Sequence, residues 1–184
     1  LKGICKSYGN NTVVKDLDLY INENEFITFV GPSGCGKSTI LRMIGGFETP
    51  DFGQIILDGV TINNIPAYQR PINTVFQRYA LFPHLNVFDN VAFGIKNRGR
   101  KFMIEFYGGI EKVKEQAIEL KLRMGASQEK AKKVTYFDIN RALKQNVKNS
   151  VEEALRLVNL SGFEERKIDK ISGGQMQRIA IARA

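Results

Sequence analysis

Eight residues near the N-terminus, GPSGCGKS at positions 31–38, combine three glycines with one lysine and two serines. The glycines let the backbone curl so that successive N–H groups point inward at an anion. Lys37 adds a positive charge, and Ser38 adds the kind of oxygen that Mg²⁺ prefers. A helix beginning near Lys37 would aim its positive dipole end at the same anion. The spacing fits the phosphate-binding loop G-x-x-x-x-G-K-[ST] and predicts a nucleotide-binding protein.

A second glycine-rich stretch, ISGGQ at positions 171–175, precedes an amphipathic segment near the C-terminus. Ser172 offers a hydroxyl group, and Gly173 and Gly174 offer unobstructed backbone N–H groups at a predicted helix N-terminus. This is again a favourable arrangement for binding phosphate. One phosphate tail cannot occupy two distant cradles in one chain, so the second cradle needs a separate explanation.

The elements around the first loop have β character. LKGICKSY predicts a strand, the alternation of Leu17, Leu19 and Ile21 predicts an antiparallel strand with one wet face, and the apolar run Phe26–Val30 predicts a strand buried on both faces. ILRMIGGF has helical spacing. GQIILDGVTI predicts a hairpin that turns at Asp58-Gly59, and RPINTVFQ a further strand after Pro71.

The second half is mostly helical from Leu85 onwards. Tyr107-Gly108-Gly109 predicts a break. SVEEALRLVNL predicts a helix that Ser150 caps, with Glu153 as its capping-box partner.

The net charge of +8 is concentrated in residues 97–150, where thirteen Lys or Arg face six Asp or Glu. This segment is either a nucleic-acid or lipid-facing patch or a solvated helical insertion. The second interpretation is favoured because acids and bases alternate and aromatics are few. Cys5 and Cys35 are too few for a disulfide framework, which favours a reduced, cytosolic setting. The sequence contains neither a membrane-length apolar run nor a signal peptide, so a membrane role is expected to act through a partner.

Three further stretches, together with the phosphate loop, carry a family resemblance. They are KSYG, which contains Tyr8, then NTVFQRYALFPHLNVFDNVAFG, and ISGGQMQR. Over nearly all of residues 1–96 and 150–184 the chain resembles the nucleotide-binding subunits of ATP-binding-cassette (ABC) transporters. The resemblance implies an α/β P-loop NTPase core with an antiparallel β subdomain and a helical subdomain. Residues 1–96 would form the core and Q-loop region, residues 97–149 a basic helical insertion, and residues 150–184 the end of the helical subdomain with the signature.

The resemblance also implies ATP and Mg²⁺ as cofactors. Tyr8 would stack on adenine, although it could instead be a core strand tyrosine. Ser38 and Gln77 would hold the metal, although Gln77 could simply be a polar residue ending a strand. The remaining nucleotide contacts would come from Gly31, Ser33, Gly34, Cys35, Gly36, Lys37 and Thr39. The residues implied in catalysis are Lys37, Gln77, Ser172 and Gly174.

Partners follow from the same resemblance. In the family, two subunits form a head-to-tail dimer, so Ser172-Gly173-Gly174-Gln175 would act on ATP bound to the partner, which explains the second cradle. Two transmembrane permease subunits would dock near Arg78–Val87, at the cytoplasmic face of the plasma membrane, and an extracytoplasmic solute-binding protein would act indirectly. The sequence of residues 45–96 resembles that of importers, and among importers those that take up spermidine and putrescine. Sugar or ferric-iron importers remain alternatives.

Two other classes stay open: a soluble cassette ATPase acting on nucleic acid or ribosomes, and a regulatory cassette that dimerises without hydrolysis. Soluble cassette ATPases of that class usually carry two cassettes in one chain, or a long coiled coil between the phosphate loop and the signature. The insertion lacks the sustained heptads of a coiled coil, so nucleic acid is the less expected partner. In the family an aliphatic strand ending in Asp-Glu follows IAIARA, and a histidine lies further on. The chain is therefore expected to be a fragment that does not hydrolyse ATP alone at family-like rates. His84 is not expected to substitute as a base or metal ligand.

Overall fold

In the computed structural model, residues Leu1–Thr74 form one unit and Val75–Ala184 another. The structure describes residues 1–76 and 79–184. None of the helices within those ranges is long and apolar enough to span a bilayer. Gln77 and Arg78, both named above, lie outside the described residues.

The first unit is built on short antiparallel strands. β1 (Lys2–Tyr8) lies between β2 (Asn11–Leu17) and β3 (Phe52–Gln54). β4 (Ile56–Leu57) and β5 (Val60–Thr61) form a hairpin whose turn residues, Asp58 and Gly59, have φ angles of 49° and 79°. The predicted first strand and the Asp58-Gly59 turn are confirmed. The buried core of this unit consists of Ile4, Val14, Met43, Ile55 and Ile62.

Helix α1 (Lys37–Ile44) has Gly45 as its C-cap, and the helical spacing of ILRMIGGF is confirmed. Arg70, a buried residue that follows the 3₁₀ turn Ala67–Gln69, secures this end of the helix. Its guanidinium group donates hydrogen bonds of 2.8 Å to the carbonyl oxygens of both Met43 and Ile44. Carbonyls in the last turn of a helix have no intrahelical donor, so Arg70 supplies donors at this end, where the Met43 carbonyl also accepts from the N–H of Gly46.

Three strand predictions within residues 1–76 are wrong in whole or in part. Phe26–Val30 is not a strand, and Phe26 and Val30 are 94% and 89% exposed. The strand predicted through Ile21 stops at Leu17, the last residue of β2. Residues 72–76 are not in a strand either. β propensity needs a neighbouring ladder to stabilise it, and none of the described residues forms one beside these runs.

The second unit is helical. It comprises α2 (Val87–Asn97), α3 (Gly99–Phe106), α4 (Gly109–Arg123), α5 (Gln128–Lys132), α6 (Tyr136–Leu157) and α7 (Gly173–Arg183), with a 3₁₀ turn at Ile168–Lys170. One apolar cluster joins α2, α7 and the second half of α6, around Val91, Val151 and Ile179. Another joins α4 to the first half of α6, around Val113 and Leu143.

The helix boundaries differ from prediction at one place. The break at Tyr107-Gly108-Gly109 is confirmed, since α3 ends at Phe106 and Gly108 has φ 93°. Ser150 is not a cap, because α6 begins fourteen residues earlier at Tyr136, and Glu153 forms an ion pair with Arg156 instead. The N-cap of α6 is Thr135. The domain limits expected at residues 96 and 149 stay predictions.

Candidate nucleotide-binding site

Residues 31–36 fold as a tight loop that the glycines make possible. Gly34 and Gly36 have φ angles of 84° and 92°, in the left-handed region that other residues avoid. A Cβ atom on Gly36 would also lie 2.9 Å from the carbonyl oxygen of Val13 on β2. The loop is therefore seated directly against β2, and Gly36 is fixed by both its conformation and its surroundings.

Lys37 folds back over this loop. Its Nζ donates hydrogen bonds to the carbonyl oxygens of Gly31 (2.7 Å) and Pro32 (2.6 Å), and it lies 3.3 Å from Sγ of Cys35. The ammonium charge thus lies at the mouth of a loop whose residues 31–35 are exposed. An incoming phosphate can reach the ammonium group by replacing these neutral carbonyl acceptors with anionic oxygens.

Helix α1 begins without a side-chain cap. Its N-cap is Gly36, whereas Asn86, Thr135 and Ser172 cap α2, α6 and α7 with side-chain oxygens. The first three N–H groups of α1 belong to residues 37–39 and have no intrahelical acceptor. Together with the helix dipole, they form a donor set suited to an anion, and the Ser38 hydroxyl lies in the same turn.

Tyr8 lies at the end of β1 and is 47% exposed, which excludes the core strand tyrosine. Its hydroxyl donates to a carboxylate oxygen of Glu48 at 3.0 Å. Glu48 also forms an ion pair with Lys6 at 2.9 Å. Hydrogen bonds from Lys6 and then Tyr8 hold the pKa of Glu48 below its ordinary value. Tyr8 is thus anchored through its hydroxyl, and its stacking on adenine stays a prediction.

The second cradle opens α7, confirming a helix after ISGGQ. The Ser172 hydroxyl accepts from the N–H of Gln175 at 3.4 Å, and the Gln175 side chain accepts from the N–H of Ser172 at 3.0 Å. Gly173 and Gly174 are exposed, and a Cβ added to Gly174 would meet no atom of residues 1–76 or 79–184 within 4 Å. Packing among these described residues therefore does not require glycine at position 174. The Ser172 hydroxyl keeps its proton available for donation to an anion.

Two polar residues that the sequence reasoning missed fix the stretch after Gln77. Asn90, a fully buried side chain on α2, accepts from the N–H of Phe82 at 2.8 Å and donates to the carbonyl oxygens of Phe82 (3.1 Å) and Asn86 (2.9 Å). The sequence does contain a signal for Asn90: it is an amide side chain within the largely apolar segment VFDNVAFG. A buried amide without hydrogen-bond partners costs free energy, so this position predicts that Asn90 has partners. The loop so held leaves Pro83 and His84 exposed.

Arg183, in the last turn of α7, is the other missed residue. Its guanidinium group donates to the carbonyl oxygens of Ala80 (2.7 Å) and Tyr79 (3.2 Å), and burial lowers its pKa. Tyr79 and Ala80 both adopt left-handed φ angles, 61° and 49°. Helix α7, whose N-cap is Ser172, therefore holds the strained residues Tyr79 and Ala80 through Arg183 at its C-terminal end. These two residues follow Gln77 and Arg78 directly in the sequence.

The family model described as ABC transporter matches residues 14–184. The chain belongs to the ABC transporter family. The mixed α/β fold class expected from the motifs is confirmed, since the chain is similar to two solved ABC cassettes. One is a dimeric post-hydrolysis state of the ATP-binding cassette MJ0796 bound to ADP and Pi (TM-score 0.63, 30% identity, covering 99% of this chain and 66% of that one). The other is a dimeric structure of MJ0796, a bacterial ABC transporter cassette (TM-score 0.65, 27% identity, the same coverage).

Curated relatives are similar over the whole chain. The spermidine/putrescine import ATP-binding protein of Clostridium acetobutylicum is 45% identical over 184 residues, and that of Onion yellows phytoplasma is 39% identical over 215. Each comparison covers all of this chain but only 40% and 52% of the relative. The chain thus spans about half, or less, of the length of these relatives.

Proposed function

We propose that this chain provides the ATP-binding part of an importer's ATPase subunit, and that the importer takes up spermidine and putrescine. The observation that carries the nucleotide site is the uncapped start of α1 beside a left-handed glycine loop, with Nζ of Lys37 at its mouth. The solute is suggested by relatives whose names describe spermidine/putrescine import. The Q-loop glutamine, Gln77, belongs to the same proposal.

The chain's own groups would bind and orient the triphosphate. The N–H groups of residues 33–39 would donate to phosphate oxygens, and Lys37 would leave the carbonyls of Gly31 and Pro32 to contact the β- and γ-phosphates. Tyr8 would stack on the adenine. Ser38 and Gln77 supply oxygen donors of the type that Mg²⁺ prefers. When bound, that ion would neutralise phosphate charge during phosphoryl transfer to water.

The second cradle would act on ATP held by a partner subunit in a head-to-tail dimer. Ser172 is oriented by its bonds with Gln175, and Gly174 leaves the approach to the N-terminus of α7 open. Dimeric structures of similar cassettes, one with ADP and Pi, support this assignment. The Ser172 hydroxyl and the backbone N–H of Gly174 would stabilise the negative charge of the γ-phosphate as it is transferred.

Permease subunits would dock on the stretch from Arg78 to Val87, which would place the chain at the cytoplasmic face of the plasma membrane. The described part of this stretch is held by Asn90 and exposes Pro83 and His84. A rigid loop with exposed side chains can transmit a displacement of its helix to a bound partner. The solute-binding protein would act on the permeases rather than on this chain.

Nucleotide binding is tested by titrating the chain with a fluorescent ATP analogue. Lys37→Ala should weaken binding about 10- to 100-fold, because hydrogen bonds to charged groups contribute roughly 1.5–3 kcal/mol. Lys15→Ala removes an exposed lysine from β2 in the same unit and should leave the affinity unchanged. Equal affinities for the wild type and Lys37→Ala would refute the assignment of this loop.

The solute is tested in the cell that carries the gene. A chromosomal Lys37→Ala substitution should abolish uptake of radiolabelled spermidine and leave sugar and ferric-iron uptake unchanged. Loss of sugar or iron uptake with normal spermidine uptake would replace the polyamine assignment while leaving the nucleotide site intact.

A further inference from the structure

Residues 121–141, here called the insertion tip, form one end of the helical insertion. They comprise the end of α4, all of α5 and the first turns of α6. Lys121 ties the three parts together, because its Nζ donates to the carbonyl oxygen of Lys133 at 2.8 Å and to Asp138 at 3.1 Å. A 3.4 Å contact between Arg141 and Sδ of Met124 adds a second link. The tip is therefore a defined surface and not a loose loop.

Large apolar side chains are exposed on this surface. Phe137 is 81% exposed, and Tyr136, Met124 and Leu122 are exposed as well. In the rest of the insertion a buried cluster forms around Val113 and Leu143, and the large apolar side chains that stay exposed there are Phe106 and Ile110. Single exposed apolar residues are common, whereas four on one segment of 21 residues, two of them in ring contact, indicate a binding surface.

The same surface has an excess of positive charge. Six Lys or Arg face two Asp or Glu in residues 121–141. One of the acids, Asp138, is already engaged by Thr135 and Lys121. Lys130, Lys132 and Lys133 are exposed and have no ion pair within the described part of the chain. Their charge is available to an anionic partner.

We propose that the insertion tip binds directly to a bilayer surface that carries anionic phospholipid headgroups. The lysines would contact lipid phosphates, while Phe137, Tyr136 and Met124 would enter the boundary between headgroups and acyl chains. Exposed apolar side chains beside an excess of lysines and arginines are the combination that binds at the interface of an anionic bilayer.

At Tyr136 the aromatic geometry favours lipid over RNA. The Arg100 guanidinium lies 4.5 Å from the centre of the Tyr136 ring, and Phe137 meets Tyr136 edge-on at 85°. One face of the Tyr136 ring is therefore already occupied, whereas single-stranded nucleic acid binds by stacking bases on free ring faces. Insertion among lipids needs no free ring face. This contact is distinct from the permease docking proposed above and does not depend on it.

The first test is co-sedimentation of the whole chain with vesicles. Vesicles of phosphatidylcholine with 30% phosphatidylserine, chosen as the anionic probe, should bind the chain, and pure phosphatidylcholine should bind it far less. Lys130→Glu/Lys132→Glu should weaken binding at least about 25-fold, at about fivefold per lysine. The matched control, Lys112→Glu/Lys114→Glu, makes the same charge change at the other end of α4 and should lose much less. Equal losses in the two variants would refute a localised site.

The second test reports insertion directly and does not rely on lost binding. The chain contains no tryptophan, so Phe137→Trp introduces a single reporter. Its emission should shift to the blue on anionic vesicles and be quenched by brominated acyl chains. Phe52→Trp, at an exposed position in the first unit, should show neither change. An unshifted emission from the Phe137→Trp variant on anionic vesicles would overturn the proposal. It would also be overturned if the chain bound a single-stranded RNA probe but not the vesicles, and if Lys130→Glu/Lys132→Glu abolished the RNA binding.

Discussion

Replacing Asp138 with asparagine tests whether a single carboxylate stabilises the start of α6. Its Oδ2 atom accepts from the N–H of Thr135 at 2.8 Å, from the Thr135 hydroxyl at 2.8 Å and from Nζ of Lys121 at 3.1 Å. The Asp138 N–H in turn donates to the Thr135 hydroxyl at 3.3 Å. Asparagine keeps the shape but loses the charge, and with it the strength of these bonds.

The magnitude follows from the pKa of Asp138. The N–H and hydroxyl of Thr135, and then Lys121, lower that pKa from 3.8 to about 2. Each pKa unit corresponds to roughly 1.4 kcal/mol, so the ionised carboxylate stabilises the folded state by about 2 kcal/mol. The side chain is 13% exposed, and the value of about 2 kcal/mol is rounded down to allow for solvent screening. Because the folded pKa is depressed, the stabilisation is present above pH 4 and is lost as the pH falls towards 2.

The assay is urea unfolding followed by circular dichroism at 222 nm, which reports mainly on the helices of the second unit. At pH 7, Asp138→Asn should lower the free energy of unfolding by about 2 kcal/mol. At pH 3 the wild type has lost roughly half of the carboxylate's contribution, so the difference should shrink to about 1 kcal/mol. Glu119→Gln, at an exposed i,i+4 pair with Arg123, should cost under about 0.5 kcal/mol. A difference that does not change between pH 7 and pH 3 would refute the role of the charge.

Two further substitutions test the other positions that the structure singles out. Gly36→Ala should destabilise the first unit by at least about 1–2 kcal/mol in urea unfolding, because alanine disfavours φ 92° and its Cβ would meet the Val13 carbonyl oxygen. The control Gly94→Ala, in an open helical position, should instead stabilise the protein slightly, and equal effects of the two substitutions would contradict this reasoning. Asn90→Ala should cost about 2–3 kcal/mol, since it leaves the Phe82 N–H and carbonyl groups unpaired; hydrogen exchange should rise at Phe82, and an unchanged rate would show that Asn90 does not hold the loop.

Local signals in the sequence were sufficient wherever neighbouring residues decide the structure. The glycine loop, the start of α1 at Lys37, the Asp58-Gly59 turn and the capped start of α7 at Ser172 depend on backbone conformation and on side chains within four residues. Each was therefore predictable from residue type and spacing.

Features that depend on distant partners were not predictable. The run Phe26–Val30 has strong β propensity, yet a strand forms only where another strand hydrogen-bonds to it. Ser150 followed by Glu153 matches a capping box, but the apolar stripe through Val147 and Val151 continues α6 past it. The partners of Arg183 lie more than a hundred residues away in sequence, so no local pattern reveals them. Thr135 and Asp138 are different, because their spacing was a cap signal that could have been used.

The two apolar clusters of the second unit have separate buried members, and the described residues that pack against both are Met103 and Tyr107. The end of the insertion and the helix carrying Ser172 therefore depend on different hydrophobic interactions. Amide protons in α4 should exchange by a sub-global opening that leaves α7 protected. Substitutions among the buried residues around Val113 should therefore disturb the helix capped by Ser172 less than substitutions in the cluster around Val91. Mutational change can thus accumulate in the insertion while the glycine-rich cradle keeps its geometry.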